Sequence, residues 1–291
     1  MSPSDAPRTV SRDRQISAFD ARTAFVDAMK PGETLVIETS VGSRVPTGPI
    51  EIVGARVGDA LRVDILDVEL EGDGWVWSRP GAGVVGERLY DFIGDRRARP
   101  IPIKDGVGEF SPDIDVILRP MVGVVGVSPP GPAVPTYWPG RHGGNLDYNG
   151  IRRGSSVYLP VYADGAGLGV GDIHGRMGSG EVMTSGLEIE GRVTVEVDLV
   201  RGTSLDGPVV EDDESVTFLA SAKSLDVAAE LAVTRGIRAI QAATGLDFVD
   251  AGMLASLIGD LGVAQAVNPR TTATFRIRKQ DLEVSAVASH E

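Results

Sequence analysis

Cysteine is absent from the 291 residues. That excludes disulfides and a thiolate nucleophile. Histidine is scarce, with three in the whole chain, and aromatic residues make up 5% of it. No apolar run approaches the ~20 residues that a membrane-spanning helix requires. Positive charge is outnumbered: 28 Lys and Arg face 41 Asp and Glu, a formal net charge of −13. So acidic a chain is a poor partner for nucleic acid or for an anionic membrane surface. Residues 1–15 are polar and lack the apolar segment of a secretory signal. They are expected to form a disordered tail, and the protein to be soluble and cytoplasmic.

What is present is a chain 42% hydrophobic, enough to build a sizeable core. A single domain over 16–291 is expected, with an N-terminal β half (16–120), a central site-bearing region (121–200) and a C-terminal α/β segment (201–280). Ser17 to Met29 reads as a short helix stopped by Lys30-Pro31-Gly32. Strands follow from Leu35 to Thr39 and from Leu61 onward, where the alternation slips and predicts a bulge at Leu66. Val193, Val195, Val197 and Leu199 alternate with polar residues in the cleanest strand of the chain. The run Glu211-Asp212-Asp213-Glu214 reads as a solvated turn. Ser224 or Asp226 caps a helix to about Ala243, with Val227, Leu231, Val233, Ile237 and Ile240 near its inner face. Asp247 caps a second helix to Ile258, with Met253, Leu254 and Leu257 turned inward. Ala273, Phe275 and Ile277 make a last strand. Short strands between Gly/Pro turns give a mainly β architecture, sandwich or barrel-like, with two late helices.

The densest chemistry lies between Arg141 and Gly191. Residues 140–191 hold fourteen of the 37 glycines, together with His142, Asp147, Asp172, His174 and Glu181. Leu168, Val170, Asp172 and His174 share one face of a strand, because alternate residues do. A carboxylate and an imidazole therefore point the same way, two residues apart. Two imidazoles with two or three carboxylates suit zinc, manganese or iron. The spacing matches no short metal motif, and it is equally that of turns capped by Asp around an ordinary hydrogen-bonded His.

These residues resemble the acetamidase/formamidase family. The likeness is carried by His142-Gly143-Gly144-Asn145-Leu146-Asp147, by Gly154-Ser155 with Tyr158-Leu159-Pro160-Val161, and by Gly171-Asp172-Ile173-His174 leading to Gly180-Glu181-Val182, with Thr184 and Glu188 closing the segment. Thr47-Gly48-Pro49-Ile50, the run Pro120 to Val127, and Gln265-Ala266-Val267-Asn268-Pro269 extend it outward. The resemblance implies a β-sandwich core with a mixed α/β segment towards the C-terminus. It also implies hydrolysis of short aliphatic amides, such as formamide or acetamide, releasing ammonia. No G-x-S-x-G elbow surrounds Ser155, Ser156, Ser179 or Ser185, and no cysteine exists. Attack by water assisted by a divalent metal, zinc foremost, is the remaining route. His142, Asp147, Asp172 and His174 are expected as ligands, Glu181 as ligand or general base, and Asn145 as the group that orients the amide. A homo-oligomer is expected, with a small amide as the other partner. A non-catalytic member that binds a metal or small ligand is the competing expectation. It draws on one departure: the family's Gln and Asp are replaced here by Met177 and Ser179, which predicts a preference for larger or more apolar amides if that loop lines the pocket.

Overall fold

The computed structural model describes residues 7–287 apart from residue 204. The N-terminal part contains β1 (Arg8–Val10), β2 (Ala18–Phe19), β3 (Asp27–Met29), β4 (Thr34–Thr39), β5 (Thr47–Ile52) and the long β6 (Ala60–Ser78). An excursion follows as β7 (Arg97–Ile101), β8 (Ile103–Lys104), β9 (Val107–Ser111) and β10 (Ile114–Ile117). The central strands are β11 (Met121–Gly126), β12 (Val134–Pro135), β13 (Gly143–Asn145), β14 (Ser156–Pro160), β15 (Leu168–His174) and β16 (Glu188–Val200). The chain then runs through β17 (Val209–Glu211), β18 (Ser215–Ala222), α1 (Leu225–Thr244), α2 (Phe248–Ile258), β19 (Gly259–Gln265) and β20 (Thr271–Arg278). The fold is mainly β, a β-sandwich-like core with a mixed α/β segment towards the C-terminus.

One sheet runs in the order β13-β11-β15-β16-β6-β14-β17-β18-β20-β19, with further strands attached to its flank. Its middle is the pair β6/β16. Val193, Val195 and Val197 of β16 are fully buried, each worth roughly 1.5–3 kcal/mol of apolar transfer. Where Thr194 pairs with Asp67 and Val195 with Ile65, the register shifts and leaves Leu66 as the extra residue, the bulge that the broken alternation predicted. The large core lies between the central strands and includes Leu35, Ile37, Leu61, Val63, Val157, Leu159 and Val170. A second core, under α1 and α2, contains Phe218, Ile240, Phe275 and Ile277. Asp212 caps the acidic turn, accepting from the backbone N–H of Glu214 and Ser215. Among the described residues no helix is long and apolar enough to cross a membrane.

Three expectations are corrected. Ser17 to Met29 is not helical: β2 pairs with β12, and β3 lies parallel to β5 through Asp27↔Ile50 and Met29↔Ile52. Burial of Phe19 and Met29 in two separate places outweighs a weak local propensity. The tail is ordered from residue 8: β1 runs parallel to β4, and Arg12 forms ion pairs with Glu71 and Glu190. Residues 1–6 lie outside the described residues. The expected inner faces of the helices hold only in part. Ser224 caps α1 and Asp247 caps α2. Ile237 and Ile240 of α1 are buried as expected, together with Ala228, Ala232, Gly236 and Ala239 and with Ala251 and Ala255 of α2, while Val227, Leu231, Met253 and Leu257 are exposed. The reason is Phe275: its ring fills the space over Gly236 and Gly259, so the helix above it must present small residues.

Candidate active site

The site forms where β11, β13, β15 and β16 meet the loop between β15 and β16. β15 pairs with β16 through a single register, His174↔Glu188. That brings the Glu188 Oε2 to 3.6 Å from His174 Nε2, and Asp172 Oδ1 stands 3.6 Å from the same nitrogen. β13 pairs with β11 through Val124↔Asn145, and just beyond it the Asp147 N–H donates to the carbonyl of Gly123 at 3.1 Å. Gly123 is where two carboxylates converge: a Cβ there would lie 2.6 Å from Asp147 Oδ1 and 3.3 Å from Asp172 Oδ2. Glu181 arrives on the connecting loop, which is clamped from behind. Gly180 donates to the carbonyl of Ala264 at 2.8 Å, and Ala266 donates back to Gly180 at 3.1 Å.

Two overlapping groups result. Asp147, His174 and Glu181 each offer a ligand atom within 4.8 Å of the others, and so do Asp172, His174 and Glu188. All five side chains are buried. Asp147, Asp172 and Glu181 hold φ of 44°, 55° and 46°, a left-handed backbone that non-glycine residues seldom adopt. Three such carboxylates in one place fit the tendency of backbone strain to gather at functional sites.

The electrostatics follow from burial. It pushes the Asp147 carboxyl up to about 6, with the Asp172 charge adding to the effect. It takes Glu188 up to about 8 against the pull of His174. Glu181 lies well above the ordinary carboxylate range, first through burial and then through Asp147. Burial alone would lower His174, but the carboxylates of Glu188 and Asp172 outweigh it and hold the imidazole well above its ordinary value. Asp147 Oδ1, Glu188 Oε2 and both His174 ring nitrogens are buried without a hydrogen-bond partner. Buried polar atoms are normally satisfied. Four carboxylates, an imidazole and these unpartnered atoms are a set of donors that fits a divalent cation.

Comparison with known proteins places this geometry. The model of the acetamidase/formamidase family matches residues 130–218. The crystal structure of a predicted acetamidase/formamidase from the thermophile Thermoanaerobacter tengcongensis superposes with a TM-score of 0.91 at 33% identity, covering 95% of this chain and 97% of that one. The chain belongs to the acetamidase/formamidase family. An acetamidase structure from Bacillus halodurans gives a TM-score of 0.88 at 35% identity, over 94% of this chain and 97% of the other. An acetamidase of Mycolicibacterium smegmatis is 28% identical over 216 residues, 54% of this chain and 53% of its own length. This chain thus spans about half the length of the curated relatives it matches.

Within this family member, Asp147, Asp172, His174 and Glu181 come together. His142 joins neither group of ligand atoms. Its ring packs edge-on against Phe19 at 5.3 Å and lines a separate cavity of about 290 Å³ with Trp138 and Arg270. Burial, then the Arg270 charge, brings it down to about 4, so it is neutral near pH 7. Asn145 is buried with its Oδ1 unpartnered. Two residues at the site stand in the family-like segments but carry no site role in the sequence reading. The β15/β16 register, His174↔Glu188, is what brings Glu188 to the imidazole. Asn268 reaches across from the far layer and donates through Nδ2 to Asp147 Oδ2 at 2.6 Å. Gln265 Oε1 accepts from the Asn268 N–H at 2.9 Å and holds that loop in place.

Proposed function

We propose that the protein hydrolyses small linear amides to a carboxylate and ammonia at the cluster of Asp147, Asp172, His174, Glu181 and Glu188. The observation that carries this reading is the convergence of four buried carboxylates on one buried imidazole whose two nitrogens have no partner. Asp147, Asp172, His174 and Glu188 would hold a divalent cation, zinc foremost. When bound, such a cation polarises an amide carbonyl and lowers the pKa of water. The chain's own part is proton handling and orientation. Glu181, its carboxyl held well above the ordinary carboxylate range by burial and by Asp147, serves as the general base. It takes a proton as water oxygen bonds to the carbonyl carbon, and returns it to the amide nitrogen as the C–N bond breaks. Asn145, buried beside this group with a free side-chain oxygen, orients the substrate amide. Self-association of copies belongs to the same reading, supported by the exposed apolar stripe of α2.

The test joins metal analysis of the purified protein to ammonia release from a panel of linear amides. A stoichiometric divalent cation, turnover lost on chelation, and a drop of about 10²–10⁴-fold in kcat for Glu181→Gln are expected. A covalent acyl intermediate trapped on any serine would overturn the mechanism. A full equivalent of cation with no turnover of any amide would leave a binding protein on the same fold.

A further inference from the structure

The cavity of about 290 Å³ beside β13 is a second concave site. None of the five cluster side chains lines it. Ala133, Val134 and Pro135 give it an apolar wall, and Trp138, His142 and Arg270 bring polar atoms. Arg141 completes the lining on the polar side. In a chain where acids outnumber bases 41 to 28, this lining holds two guanidinium groups and no carboxylate.

The polar atoms here lack acceptors. Trp138 Nε1 and His142 Nε2 are both buried without a hydrogen-bond partner, and His142 is only 4% exposed. An indole N–H can only donate, and a neutral imidazole keeps one N–H to give. Buried donors of this kind are normally satisfied, so an acceptor belongs here. The Arg270 guanidinium lies 5.7 Å from the centre of the Trp138 ring. Among the described residues it has no carboxylate partner, whereas Arg141 is paired with Asp206 at 3.0 Å. The frame around these groups is fixed by hydrogen bonds. Gln265 Nε2 donates to the Arg270 carbonyl at 2.7 Å. Gly140 and Gly143, on either side of His142, exchange backbone hydrogen bonds at 2.8 and 3.1 Å.

We infer that this cavity binds a small monocarboxylate with a short apolar tail, at a site distinct from the cluster. A guanidinium pairs a carboxylate through two parallel N–H···O bonds. The indole and imidazole N–H groups supply further donors to the same oxygens. The apolar wall takes the tail, and each methylene removed from water adds roughly fourfold in affinity. Inorganic phosphate carries more charge than one unpaired guanidinium matches, and burying the excess is costly. Ligand pockets begin at about 300 Å³, so the cavity suits a molecule of few carbons. The proposed amide hydrolysis releases a product of this class, but the site stands on its own residues and binding needs no turnover.

The experiment follows tryptophan indoles labelled with 15N. The chain has three tryptophans, and the signal missing from Trp138→Phe assigns the one in the cavity. Sodium butyrate is titrated into the wild type at constant ionic strength, with sodium acetate and inorganic phosphate as separate arms. Butyrate should move the Trp138 signal saturably, acetate should do so more weakly, and phosphate should not. Arg270→Gln should weaken butyrate about 10–100-fold, as loss of a charge-assisted pair does, and Arg270→Lys should restore part of it. Ala133→Phe, which fills the cavity, should abolish the shift. His174→Ala, altered at the cluster alone, should bind butyrate as the wild type does. Each variant is first matched to the wild type by thermal unfolding. A Trp138 signal that stays still, that phosphate moves equally, or that responds unchanged in both Arg270→Gln and Ala133→Phe overturns the site. Butyrate binding lost in His174→Ala overturns it too, because the carboxylate would then sit on the cluster.

Discussion

His174 is the residue on which the most contacts converge, with carboxylate oxygens of Asp172 and Glu188 at 3.6 Å each and both ring nitrogens unpartnered. Its replacement by Ala is expected to lose the bound cation while the fold survives, since the β15/β16 pairing is made by backbone. Metal analysis of a folded His174→Ala protein checks this, and a retained full equivalent would sink the assignment. The pH response of the ion-free protein has a definite sign. Glu188 titrates at about 8 in the fold against an ordinary 4.5, so its contribution is complete at low pH and is lost as pH rises through 8. Asp147, at about 6 against 3.8, acts in the same direction lower down. His142 opposes them, because its value of about 4 against 6.5 means the unfolded chain holds the extra proton between those limits. Between pH 6.5 and 8 that opposition is over. Thermal melts of ion-free protein should show Tm falling across this window, and added zinc should flatten the fall by favouring the ionised ligands. A Tm that rose there without metal would contradict the assignment. Asp147, Asp172, His174 and Glu181 were legible as a group in the sequence because strand alternation and Gly-rich loops mark them. Glu188 and Asn268 stood in the family-like segments, but their place at the site was not legible, because it depends on the β15/β16 register and on a contact between segments far apart in the chain.

At the scale of elements, strands with clean alternation were readable, and the two late helices were readable in their ends and in the buried Ile237 and Ile240. The bulge at Leu66 follows from a phase slip that sequence alone displays. The caps do too, Asp247 outright and Ser224 as one of two candidates with Asp226, since capping is a local hydrogen bond. Which helix face turns inward is decided by the surface beneath, and Phe275 was not foreseeable as that surface. The same ring makes a sharp prediction. Gly236→Ala places a methyl against Phe275 and should cost about 1–3 kcal/mol by overpacking. Leu231→Ala, on the exposed face, should stay within about 0.5 kcal/mol. Denaturant titrations of both variants measure the contrast. Equal costs would mean that α1 does not rest on the sheet through its small residues.

At the scale of the whole molecule, Val249, Met253 and Leu257 form an i, i+4, i+8 stripe on α2, exposed by 68%, 59% and 82%. It runs on to Leu261 of β19, an end strand of the sheet order. A helix face so apolar is the surface that the proposed self-association would use. Leu257→Lys should therefore shift the protein to a smaller species in sedimentation without changing Tm by more than a degree or two. An unchanged mass would place the contact elsewhere.

The loop from Gln265 to Asn268 joins β19 to β20 in the layer packed against α1, yet its Asn268 donates to Asp147, and Ala264 and Ala266 pin Gly180. The proposed cation binding and the docking of that layer would therefore share a free energy, each strengthening the other by the same factor. Removing the cation should accelerate amide hydrogen exchange in residues 262–272 while leaving the β6/β16 centre protected. Conversely, any change that loosens this layer should release the ion long before the sandwich itself gives way.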